Sequence, residues 1–136
     1  MPASHLLDTS VYCQPIKPRP LASVMQRLEK MGDARISISA ICELEILFGI
    51  HRRQAFKLRD SYERLLKDRF QVLDVDRQVA ATAVDVKLRR EAKGKPIAPF
   101  DLLIAATAKT HHLALATLNP RHFQDIEGLA VEDWSK

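Results

Sequence analysis

Short apolar runs alternate with helical segments along the whole chain, and this alternation most narrows the fold. Leu6-Leu7 leading to Asp8, Arg35-Ile36-Ser37-Ile38-Ser39, Phe70-Gln71-Val72-Leu73-Asp74-Val75 and Ala114-Leu115-Ala116-Thr117 have the length and composition of strands, and a last short strand is expected near Val131. Between them, Leu21, Val24, Met25, Leu28 and Met31 recur at helical spacing up to Gly32-Asp33. Ser39 is placed to cap a helix over Ala40–Ile50. Gln54–Lys67 reads as a polar amphipathic helix with Phe56, Tyr62, Leu65 and Leu66 as its buried candidates. Arg77–Ala92 carries Val79, Ala80, Ala83, Val86 and Arg90 along one helix, and after the break at Gly94 and Pro96 a small apolar helix spans Phe100–His111. Strands separated by helices imply an α/β domain with a mainly parallel central sheet. Sheets of that kind place their sites at the carboxyl ends of the strands.

The chain of 136 residues is expected to form one domain, 1–136, with a core of its own. Its hydrophobic share of 46% and charged share of 28% are those of a globular protein, and no apolar run has the length of a membrane span. Met1-Pro2-Ala3-Ser4-His5 lacks a basic region leading into an apolar stretch, so the cytoplasm is the expected compartment. Cys13 and Cys42 show neither metal-ligand nor disulfide spacing and are expected to be reduced structural thiols. A formal charge of +4 permits a polyanionic partner without identifying one.

Three carboxylates sit where apolar segments stop or begin: Asp8 after Leu6-Leu7, Glu45 inside the short apolar helix Ala40–Ile50, and Asp101 at the head of Leu102-Leu103-Ile104-Ala105-Ala106. A charge at the edge of an apolar segment needs a compensating partner. Each acid has an ordinary explanation taken singly: a turn cap for Asp8, a solvated helix residue for Glu45, a first-turn acid favourable to the helix dipole for Asp101. Together they suggest an oxygen-donor pocket for magnesium or manganese. Such an ion can activate water and neutralise phosphate charge during phosphodiester hydrolysis. Thr9, Ser10 and Thr117 are candidates to orient the acids or their waters. His5, His51, His111, His112 and His122 lack zinc-site pairing and read as structural or surface residues. Arg52, Arg53, Lys87, Arg89, Arg90, Lys93, Lys95 and Arg121 could supply positive charge to a nucleic-acid backbone.

The motifs, in order, resemble those of the PIN-domain ribonucleases, most closely the VapC-type toxins of type II toxin–antitoxin pairs. Leu6-Leu7-Asp8-Thr9-Ser10-Val11 looks like the opening strand and first acid, and Ser39-Ala40-Ile41-Cys42-Glu43-Leu44-Glu45-Ile46-Leu47-Phe48-Gly49 like the second motif. Pro99-Phe100-Asp101-Leu102-Leu103-Ile104-Ala105-Ala106-Thr107-Ala108 looks like the third. Thr117-Leu118-Asn119-Pro120-Arg121-His122-Phe123, then Gly128-Leu129 and Glu132-Asp133-Trp134, resemble the C-terminal end.

The resemblance implies a PIN-like three-layer α/β/α domain and a Mg2+- or Mn2+-dependent endoribonuclease. Asp8, Glu45 and Asp101 would hold the metal, with Asn119 completing the catalytic set. In the family the second acid lies four residues before the glycine, so Gly49 selects Glu45; Glu43, about 200° away around a helix, is the alternative. Many PIN nucleases carry an acid where this chain has Asn119 or His122, so its site has fewer fixed charges. A cognate VapB-like antitoxin, an RNA substrate, a homodimer and no membrane association also follow from the resemblance. The alternative is a catalytically silent PIN-like module that binds RNA or protein.

Overall fold

The computed structural model describes residues 2–136. Five strands form one sheet: β1 His5–Leu7, β2 Ile36–Ser39, β3 Gln71–Leu73, β4 Ala114–Thr117 and β5 Val131–Asp133. Six helices run between them: α1 Thr9–Tyr12, α2 Ala22–Met31, α3 Ala40–Arg53, α4 Phe56–Leu65, α5 Arg77–Ala92 and α6 Pro99–Thr110. Every strand pair is parallel, in the order β3-β2-β1-β4-β5. The expected sheet and its flanking helices are therefore present, and β2 is buried along its whole length as an inner parallel strand requires.

The strand order fixes the place of a site. From β1 the chain crosses to β2 on one side, and it returns to β4 on the other. Neighbouring connections thus diverge at the carboxyl ends of β1 and β4, and the crevice they leave is where open α/β sheets bind ligands. Leu7 pairs with Ile38 and with Ala116, so Asp8 emerges at the end of the central strand, directly beside Thr117 at the end of β4. The turn expected after β1 is a short helix, α1, with Asp8 as its N-cap.

Local signals account for most boundaries. Ser39 accepts from the Ile41 N–H and starts α3, and Asp76 does the same for Val79 at α5. Helix α6 opens with Pro99 and packs on α5, and its Ala105, Ala106 and Ala108 are fully buried. Helix α4 is less amphipathic than its sequence suggests. Tyr62 and Leu66 are buried, but Phe56 is 78% exposed and Leu65 41%. Phe56 stands about 120° around the helix from Tyr62, off the inward face. Leu65 lies on the flank that Leu66 leaves outside.

Most of the cations proposed for nucleic acid are spent within the fold. Arg90 is only 6% exposed; its Nε donates to Lys95 O (2.7 Å) and one terminal nitrogen to Gln124 O (2.8 Å) and His122 O (3.4 Å). It continues the buried stripe of Val79, Ala83 and Val86 and is a structural clamp, not an RNA contact. Lys87 pairs with Glu91, Arg89 with Asp85 and Glu127, and Lys95 with Asp125. Lys93 donates to Asp125 O. Arg52, Arg53 and Arg121 remain exposed and appear in no ion pair among the described residues.

Replacing Arg90 leaves several carbonyls without their charged donor. Arg90→Ala is expected to cost about 2–4 kcal/mol in urea unfolding, whereas Arg121→Ala stays within about 0.5 kcal/mol of the parent.

Candidate active site

Asp8 is the centre of the crevice, and it is 6% exposed. Its Oδ1 accepts from the Ser10 hydroxyl (2.6 Å) and from the Val11 N–H (3.1 Å); its Oδ2 accepts from the Thr117 hydroxyl (2.5 Å). The two hydroxyls are themselves oriented by backbone. Leu118 N–H donates to Ser10 Oγ (3.1 Å), and Asn119 N–H donates to Thr117 Oγ1 (2.9 Å). Each hydroxyl therefore has its proton directed at the carboxylate. Burial pushes the Asp8 carboxyl above its ordinary pKa; these three donors pull it back in part, and the nearby Asp101 charge adds to the rise.

Glu45 comes to the same end of the sheet from α3. Thr9, the residue after Asp8, donates its hydroxyl to Glu45 Oε1 (2.6 Å). Cys42, one turn earlier, is buried between the two acids. Burial chiefly, with Asp8 and Glu45 adding to it, pushes its thiol up to about 12, and Sγ–H donates to Leu7 O (3.5 Å). It is the inert structural thiol expected. Glu43 faces elsewhere: desolvation raises its carboxyl, followed by the charges of Asp68 and Asp74 near β3.

Asp101 is in the first turn of α6, partly exposed, with its Oδ2 3.2 Å from His122 Nδ1. Asn119 begins the 3-10 turn Pro120–Phe123 that carries His122, and its side chain does not cap that turn. The sequence reading assigned His122 no part in the site. Its place before Phe123 marks it only as a position where many PIN nucleases carry an acid; the return of the chain beside α6 brings it to Asp101.

Four named positions thus converge on one crevice: Asp8 from β1, Glu45 from α3, Asp101 from α6 and Asn119 after β4. Asp8 and Glu45 accept hydrogen bonds from protein neighbours and Asp101 lies beside His122, and among the described residues no three His, Cys, Asp or Glu side chains are drawn together as tightly as an ion would draw them. The donor set nevertheless suits a hard divalent cation. It is all oxygen, and it includes a buried carboxylate raised in pKa partly by a second one.

A sequence profile of the PIN domain matches residues 5–129. The chain belongs to the PIN-domain family, in its VapC group. It is 31% identical to the tRNA(fMet)-specific endonuclease VapC of Shigella flexneri, over 96% of this chain and 97% of that protein. It is 30% identical to toxin FitB of Neisseria gonorrhoeae, over 95% and 97%. The crystal structure of DNA-bound VapBC from Salmonella typhimurium superposes with a TM-score of 0.87 at 30% identity, covering 97% of this chain and 98% of that one. The PIN match runs from β1 almost to β5 and so takes in all four converging positions.

The raised carboxyl has a consequence for stability. The folded protein binds the Asp8 proton more tightly than the unfolded chain does. Stability therefore falls as pH rises from the ordinary carboxylate range through the raised folded value, and the cost is fully present above it. In chelator, Asp8→Asn is expected to be more stable than the parent at neutral pH. That advantage should shrink as pH falls towards and below the ordinary carboxylate value, as urea melts at a series of pH values can show.

Proposed function

We propose that the chain is a divalent-metal-dependent endoribonuclease that acts as the toxin of a toxin–antitoxin pair. The observation that supports this most directly is the buried Asp8 carboxylate at the β1–β4 switch point, fixed by two oriented hydroxyls and close enough to Asp101 to feel its charge. VapC-type PIN nucleases generally depend on a divalent metal; magnesium is the ion proposed here, with manganese able to replace it. Asp8, Asp101 and Glu45 would hold it. When bound, it lowers the pKa of a water and neutralises charge on the scissile phosphate.

The remaining work falls to the chain's own groups. Ser10 and Thr117 keep Asp8 ionisable and correctly turned, and Thr9 fixes the orientation of Glu45. Asn119 can orient water or substrate through its amide without adding charge. Of the cations named from the sequence, Arg52, Arg53 and Arg121 are exposed and free to meet phosphates. We take residues 1–136 to act as one PIN domain, in the cytoplasm, as a homodimer neutralised by a small VapB-like antitoxin. Among the described residues no helix is long and apolar enough to cross a membrane. Because the Shigella relative is named for tRNA(fMet), that RNA is the first substrate to test.

Purified protein is expected to cleave RNA with magnesium or manganese and to stop in chelator. Asp8→Ala and Asp101→Ala should each lower cleavage by on the order of a hundredfold or more and relieve growth arrest on expression. A folded protein that cleaves nothing with either ion, and whose variants leave any growth arrest unchanged, would instead be a silent binding module. Separately, Glu45→Gln should abolish most activity and Glu43→Gln should spare it; the reverse result in the same assay would move the second acid to Glu43.

A further inference from the structure

Helix α3 carries a glycine that its own packing does not require. Gly49 lies well inside Ala40–Arg53, where glycine is destabilising relative to alanine. It is not among the glycines with positive φ, so its backbone conformation suits any residue. A methyl group at this position would meet nothing within 4 Å beyond its own stretch of helix, so no neighbouring element needs the room. That room belongs to a groove of about 370 Å3, which Gly49 lines.

The groove starts at one of the converging acids. Glu45, Gly49 and Arg53 all line it. Their spacing of four residues sets them in line along α3, about 12 Å from first to last. Ile46 and Ile50 on the same helix, Ile16 from the turn after α1 and Leu58 from α4 supply an apolar floor. Lys17 and Arg53 are its cations; both are exposed, and neither enters an ion pair among the described residues. Beyond Glu45 the groove therefore carries positive charge only. Apolar floor and unspent cations together match a nucleotide, which presents an apolar base face and an anionic phosphate. We propose that the α3 groove is the subsite for the RNA segment next to the cleaved bond. A base packs over Ile46 and Ile50, flanking phosphates meet Lys17 and Arg53, and the missing side chain of Gly49 lets the strand lie close against α3. The inference rests on the nuclease reading above, which makes RNA the substrate that reaches Glu45.

Binding is measured in chelator, so that no ion enters the result. A fluorescent single-stranded RNA is titrated with the full-length protein over a range of salt concentrations. Lys17→Ala and Arg53→Ala should each flatten the logarithmic salt dependence by about 0.7, the contribution of one phosphate contact on a single strand. Lys30→Ala, on α2 and outside the groove, should leave it unchanged. Gly49→Ala should raise the urea midpoint and yet weaken RNA binding. Gly49→Leu should weaken binding further, by about tenfold or more, the worth of one stacked base. If Gly49→Leu does not fold, Gly49→Ala decides alone. Parental RNA affinity in the folded Gly49 variants, or unchanged salt dependence in both Lys17→Ala and Arg53→Ala, would overturn the subsite and leave the groove to a protein partner. If the parent cleaves RNA with magnesium or manganese and the groove variants do so with the parental KM, the nuclease reading stands and only this inference falls. If the graded losses appear in chelator but neither ion brings cleavage, the RNA groove stands and the nuclease reading falls.

Discussion

The hydrogen bond from Thr117 to Asp8 is the point on which the site depends, because it joins the ends of two strands whose connections part on opposite sides of the sheet. A crevice at a switch point is open by topology. Something must hold its two lips in register, and here it is a charge-assisted bond between side chains 109 residues apart. Thr117 and Ser10 act as relays. Their oxygens accept backbone N–H groups from the chain leaving β4, and their protons are thereby committed to Asp8. Backbone that has just left the sheet thus fixes the orientation of the carboxylate, without any long flexible side chain in between.

Burying a carboxylate among three donors and near a second carboxylate is not a stable arrangement for its own sake. The donors offset only part of the desolvation, and Asp101 adds to the remainder. An isolated domain selected for stability would replace one of the two acids. Keeping both amounts to holding a site at a higher free energy than its surroundings need, a cost that active sites commonly carry. The fold tolerates it because the rest of the crevice is conventional: β1, β2 and β4 are buried, Cys42 is a neutral filler, and α6 packs tightly through its alanines.

What the sequence made legible followed from local physics. The ends of α3 and α5, and the alternation that gives the parallel sheet, depend on caps and periodicity within a few residues, and they fell where expected. The separation of Glu45 from Glu43 was legible for the same reason, since two residues on a helix cannot face one point, although which of them faced Asp8 took the family's glycine spacing to choose. Phe56 was misjudged because apolarity was counted without its angle to Tyr62. Arg90 was misjudged for a different reason. Its partners are carbonyls in other segments, and a contact of that kind leaves no periodic trace. Arg90 did leave one sign: it continues the stripe of Val79, Ala83 and Val86, and an arginine on an apolar stripe needs buried acceptors.

The fourth position shows how charge and backbone can be exchanged in such a site. An acid there would add a ligand and would also add repulsion to an Asp8 already raised in pKa. Asn119 avoids the repulsion while its backbone N–H still serves the Thr117 relay, so the structural half of the position is kept and the electrostatic half is given up. His122 stands beside Asp101, the charge that disfavours ionisation of Asp8, with its Nδ1 3.2 Å from Oδ2. Asn119 thus reduces the negative charge that the crevice must hold. The same exchange leaves one carboxylate fewer in the crevice, so what eases the burial of Asp8 also removes an oxygen donor from the set.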